Sequence, residues 1–131
     1  MNLAETKAHK IKLIEEYDKS IGVNSFYLNG ELVWLDKATR VGLVNALNME
    51  KLLGKTETTL WFDTQSFTLP IDTAIQLMGT LENYAKECYN TTMMHIKKVS
   101  ESNDIEYVNN YNYINGYPIR PKFNVNYAGE K

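Results

Sequence analysis

The sequence predicts an α+β fold with residues 1–131 as a single domain: three helices (about 2–18, 37–53 and 70–101), a small antiparallel sheet built from two β-hairpins, and a Tyr/Asn-rich irregular C-terminal segment. Three observations carry that reading. Apolar residues recur at steps of three and four in three stretches, the period of a helix face. The pair Asn29-Gly30 lies between two runs of β-forming residues, as in a two-residue hairpin turn. Thr58 to Leu69 is dense in β-branched and aromatic residues around a polar turn. A chain of 131 residues suits one domain and is short for two.

In the first helix, Leu3, Ala4, Ala8, Ile11, Ile14 and Tyr17 form a narrow apolar stripe among lysines and glutamates. Such a stripe fits an arm lying on its own domain or a seam with another chain, and fewer than three heptads leave both open. After Ser20-Ile21-Gly22, the hairpin register pairs Leu28 with Glu31. That register puts Phe26, Leu28 and Val33 on one face and Tyr27, Leu32 and Trp34 on the other. Both faces are apolar, so covering on both sides, by helices or by a partner, is expected.

Asp36 reads as the N-cap of the second helix and Gly54 as its C′ residue. The second hairpin is read as Thr58–Phe62, a turn Asp63-Thr64-Gln65-Ser66, and Phe67–Leu69. Pro70 suits the first position of the third helix and Asp72 its first turn. From there Ala74, Met78, Leu81, Ala85, Cys88, Thr92, His95 and Val99 mark one face of a helix spanning about 45 Å. Gly79 within it reads as a site of close packing. Beyond residue 103, Gly116, Pro118 and Pro121 forbid a long helix, and the end past Phe123 is expected to fray.

Composition narrows function. The net charge of −2 leaves no surplus of Lys and Arg to neutralise a phosphate backbone, so nucleic acid is not an expected partner. No apolar run approaches the roughly 20 residues of a membrane-spanning helix, and Met1 to Lys7 lacks the features of a secretion signal. A lone cysteine cannot form an internal disulfide.

No catalytic, cofactor or metal site is legible. Cys88 and His95 share a helix face but stand about 10.5 Å apart along the axis, beyond the reach of a nucleophile–base pair. One cysteine and two separated histidines supply no usual metal-ligand set, and the scattered glycines form no phosphate loop. Arg40 reads as pairing with a carboxylate or capping hairpin backbone. Asn90-Thr91-Thr92 matches a glycosylation acceptor, but it falls mid-helix. The tyrosine-rich tail has functional colour: Tyr107, Tyr111, Tyr113 and Tyr117 are the candidate contact residues for another protein or a glycan. The competing reading, that these rings close over the core, is the one the sequence favours.

Several stretches also carry a resemblance: Ala8–Ile14, Glu16-Tyr17-Asp18, Val23–Phe26, Leu28-Asn29-Gly30, Thr58–Phe62, Tyr84-Ala85 with Cys88-Tyr89 and, most specifically, Val33-Trp34-Leu35-Asp36-Lys37-Ala38-Thr39-Arg40. Together, over about residues 7–123, the chain resembles a domain family of unknown function carried by phages and prophages of gut bacteria. The resemblance implies a small phage protein, with some family members associated with tails, and it brings no activity or catalytic residue. The expected function is therefore non-enzymatic: a phage structural or tail-associated protein that binds other phage proteins or itself. The alternative is an accessory protein of infection, an assembly chaperone or host-factor binder. Either would be made in the host cytoplasm, and the first would be carried into virions.

Overall fold

The computed structural model describes residues 1–125. In chain order the elements are α1 (Leu3–Asp18), β1 (Ser25–Leu28), β2 (Glu31–Trp34), α2 (Lys37–Leu52), β3 (Glu57–Phe62), β4 (Gln65–Pro70), α3 (Ile71–Glu101), α4 (Ile105–Asn109) and β5 (Lys122–Phe123). The α+β class holds, with three long helices and small hairpin-built sheets. The described residues form two compact units: residues 1–24 with 84–119, and residues 25–83 with 120–125.

In the unit holding the hairpins, Asn29 (φ 51°) and Gly30 (φ 84°) make the turn the sequence predicts, and Leu28 pairs with Glu31. Phe26 and Leu28 are buried. No helix of its own chain closes over the opposite face, where Leu32 is 41% and Trp34 38% exposed, which leaves covering by a partner as the alternative. Instead of a layer over that face, the unit adds β5 in the plane, parallel to β1, in the order β2-β1-β5. The Asn29 side chain then closes a clamp: its Nδ2 donates to the Val125 carbonyl and its Oδ1 accepts from the Val125 amide, both at 2.8 Å. Order thus continues past Phe123, where the sequence suggests fraying; Tyr127 and the rest of residues 126–131 lie outside the described residues.

The second hairpin forms its own two-stranded sheet rather than joining the first. Asp63, with φ 56°, and Thr64 suffice for the turn, because Phe62 pairs directly with Gln65. Gln65 and Ser66 are therefore strand residues, not turn residues. Pro70 ends β4 opposite Glu57 and α3 starts one residue later; a proline, lacking an N–H, is tolerated at a sheet edge. Strict alternation buries Thr58, Leu60 and Phe62 of β3 and Phe67 and Leu69 of β4. Leu60, Phe62, Phe67 and Leu69 pack with Phe26, Leu28, Leu47, Ile71, Ala74, Leu77, Met78 and Leu81 into one core. Asp36 Oδ1 accepts from the Thr39 amide at 2.7 Å, capping α2, and Gly54 takes the positive φ that ends it.

In the other unit, Asn2 and Glu5 form a reciprocal capping box at the start of α1. The stripe of α1 packs on its own chain: Ile14 meets Val99 of α3 and Val108 of α4 in a small core. A second cluster joins Val23, Tyr84 and Cys88, with Tyr17 and Tyr117 against it. Gly22 is required there, since a Cβ at that position would sit 2.7 Å from the Tyr17 ring.

Gly79 differs from its expected role: a Cβ built there meets nothing within 4 Å, so no close packing needs it. Its effect is the entropic one of a glycine inside a helix. Gly79→Ala should therefore stabilise the protein by about 1 kcal/mol, checked by urea denaturation; a loss of stability would mean that this position packs against something.

Candidate functional site

The tyrosine-rich segment was the sequence's one candidate site, and the structure separates its members. Tyr17 takes Tyr113 and Tyr117 edge-to-face, at ring-centroid distances of 5.9 and 5.5 Å. Tyr111 and Tyr117 both lie against the His95 ring. Tyr111, Tyr113 and Tyr117 are partly buried, with their rings turned onto their own unit. Tyr107 alone of the four is exposed, at 44%.

Beneath the tail lie polar groups of α3 that the sequence left on a stripe edge. His95 is buried; its Nε2 lies 2.8 Å from the Asn115 carbonyl and its Nδ1 2.6 Å from the Tyr111 hydroxyl. A carbonyl only accepts, so Nε2 carries the proton, and in the neutral ring Nδ1 accepts from Tyr111. One turn earlier the Thr92 hydroxyl donates to Asp18 Oδ1 at 2.7 Å, which leaves it to accept from the Tyr117 hydroxyl at 2.6 Å. Thr91 Oγ1 reaches the Gly116 carbonyl at 3.3 Å. The Asn115 carbonyl and the Tyr117 hydroxyl are thus held by side chains of α3, while the single Thr91 proton is shared between the Gly116 carbonyl and the nearer Glu87 carbonyl of its own helix, at 3.1 Å.

These groups resemble catalytic components, but Thr92 and His95 are buried and already fully engaged. Cys88 is buried as well, and burial pushes its thiol above the usual range, with the Asn24 amide and Tyr84 opposing that shift. A raised thiol pKa works against nucleophilic reactivity. Among the described residues, no three His, Cys, Asp or Glu side chains gather to hold a metal, and no helix is long and apolar enough to cross a membrane. The Thr92 of the glycosylation triplet is committed to its internal bonds.

Arg40 behaves as the sequence suggests. Its guanidinium, nearly buried, donates to Glu82 Oε1 at 2.7 Å and to the Leu35 carbonyl at 3.3 Å. It joins α2 to α3 and to the residue following the hairpin.

What remains open is a shallow groove of about 460 Å³ lined by Asp104, Glu106, Tyr107, Asn110, Tyr111 and Asn112. Asp104 caps α4, its Oδ1 accepting from the Glu106 and Tyr107 amides. Tyr107 meets Tyr111 edge-to-face at 5.6 Å, and Tyr111 is itself tied to His95. Tyr107 and Tyr111 were sequence candidates; Asp104 and Glu106 beside them were not. The signal that could have linked them is Asp104 as an N-cap, two residues ahead of Glu106 and three ahead of Tyr107.

No family model matches the chain, and neither a characterised protein nor a solved structure matches it.

Two outcomes follow from the His95 network. His95→Leu strands the Asn115 carbonyl and Tyr111 hydroxyl, so it should destabilise the protein by about 2–3 kcal/mol, with faster amide exchange across residues 111–117. Burial also pushes the Tyr111 and Tyr117 hydroxyls above the usual tyrosine range. Groups with raised native pKa give stability that is present in full below their unfolded pKa and lost as pH rises through the native one. Urea midpoints should therefore hold steady to about pH 9 and fall above it, less steeply in Tyr117→Phe; a rise in midpoint above that pH would contradict the arrangement.

Proposed function

We propose that this chain is a non-enzymatic phage structural or tail-associated protein that acts by binding other phage proteins or further copies of itself. One observation supports this most: both tryptophans stand out from the surface of the hairpin unit, Trp34 at 38% and Trp61 at 62% exposure. Tryptophan is the residue most enriched where protein interfaces concentrate their binding energy, and its exposure to water is otherwise unfavourable. Leu32 lies beside Trp34 on the outward face of the first hairpin, two residues along β2. Trp61 projects from the outward face of the second, across from the small Ser66. The phage assignment follows the sequence resemblance. The non-catalytic assignment is supported by the burial of Cys88, Thr92 and His95 in structural bonds.

Mass spectrometry of gradient-purified phage particles, with light scattering on the isolated protein, tests this reading. Presence in particles, or self-association that Trp34→Ser or Trp61→Ser weakens by about tenfold with little change in melting temperature, is the expected result. A protein that is monomeric at high concentration and confined to the lysate would overturn it and favour an accessory role in the infected cell.

A further inference from the structure

We infer that Asn115-Gly116 is a self-modification site, at which the Gly116 amide nitrogen displaces ammonia from the Asn115 side chain and leaves a carboxylate on the tail. The chain contains two Asn-Gly pairs, Asn29-Gly30 and Asn115-Gly116, and the fold treats them in opposite ways. The Asn29 side chain is tied through both Nδ2 and Oδ1 to Val125, so it cannot turn onto the following nitrogen without breaking two bonds. Asn115 and Gly116 lie exposed in a turn. Among the described residues, neither the Asn115 side chain nor the Gly116 N–H makes a hydrogen bond. Glycine also brings no side chain to hinder the approach.

The inward side of the same peptide unit supplies the chemistry. Attack requires the Gly116 nitrogen to lose its proton, and the resulting charge spreads onto the Asn115 carbonyl oxygen. That oxygen is the one to which His95 Nε2 donates, at 2.8 Å. The imidazole is buried and fixed at its other nitrogen by the Tyr111 hydroxyl at 2.6 Å. It is therefore in place before the charge develops, as a donor must be to stabilise an oxyanion without reorganising. His95 gives up no proton and breaks no bond in this role.

Water is the only other reactant. Solvent base takes the Gly116 proton, the nitrogen bonds to Asn115 Cγ, and the Cγ–Nδ2 bond breaks, Nδ2 leaving as ammonia with a proton from water. A cyclic imide then joins the two residues. Water opens it at Cγ, giving aspartate, or at the main-chain carbonyl carbon, giving a chain that runs through Cγ and leaves the former carbonyl as a carboxylate. Either product adds a negative charge to the exposed turn. The second also takes the oxygen held by His95 out of the main chain, which loosens the tail from α3.

The test ages the full chain in mildly alkaline buffer made with water enriched in heavy oxygen, both folded and in urea. Mass spectrometry of peptides covering the two Asn-Gly pairs follows ammonia loss and then label uptake. In urea the two pairs should convert at similar rates. In the folded protein Asn115 is expected to convert at least as fast as in urea, and Asn29 about tenfold or more slower, because two hydrogen bonds of ordinary strength must open first. Asn115→Gln, whose side chain is too long to close the same ring, should stop the reaction and leave the melting temperature unchanged. His95→Leu should slow conversion at Asn115 by about fivefold or more while amide exchange over residues 111–117 speeds up, the reverse of what loosening alone would do. If that variant does not fold, the folded and urea-treated wild-type rates decide by themselves. Protection of Asn115 in the folded chain, conversion slower than at Asn29, or faster conversion in folded His95→Leu would overturn the proposal.

Discussion

An irregular segment stays ordered only if something other than its own backbone satisfies its polar groups, and here that partner is α3. From Tyr111 to Ile119 the segment has no regular secondary structure, and the Tyr111 amide makes its last turn-like bond, to the Val108 carbonyl at 3.3 Å. His95 and Thr92 supply partners at 115 and 117, so the helix imposes on the tail an order that tyrosines and asparagines alone would not specify. The exposed groove and the buried network are consequences of one arrangement: the same Tyr111 that bonds inward to His95 forms the wall on which Tyr107 rests.

The hairpin unit solves a related problem with different chemistry. Its terminal strand is only two residues long, too short to hold by ladder bonds, and the Asn29 side chain lengthens the attachment by two further bonds. Asn29 thus does two things at once, taking the positive φ of the turn and receiving the chain end. Arg40 shows the corresponding treatment of charge. A nearly buried guanidinium is tolerable because Glu82 and the Leu35 carbonyl replace part of its lost hydration. Neutral replacement of Glu82 alone would leave that charge stranded, whereas replacing both partners need not.

What was legible in the sequence was local. Asp36 at the N-cap, Gly54 at the helix end, Asn29-Gly30 at the turn and the helix periodicities each depend on neighbours within a few residues, and each stands as read. What was not legible depends on distant pairing. Lys122-Phe123 has no strand signature of its own and becomes a strand only beside Tyr27-Leu28. The similar chemistry of the two hairpins gave no reason to place them in separate sheets. His95 fits a helix stripe equally well as an edge residue or as a buried anchor, because the carbonyl it serves lies twenty positions away. Gly79 misled for a related reason, since a helical glycine reads the same whether its missing Cβ makes room for a neighbour or faces open space.

The division between inward and outward chemistry bears on function. Groups that could act on a substrate, the thiol of Cys88, the hydroxyl of Thr92 and the imidazole of His95, are buried, and Thr92 and His95 are bonded to the protein's own atoms. Groups suited to holding another surface, Trp34, Trp61 and Tyr107, point to water. A buried imidazole with both nitrogens engaged would have to break a structural bond before moving a proton for a substrate, and the tail would loosen with it. Exposed indoles and an exposed phenol need no such rearrangement to make contact. That difference is what favours the proposed binding role over a catalytic one, with the buried polar network holding one part of the surface in shape.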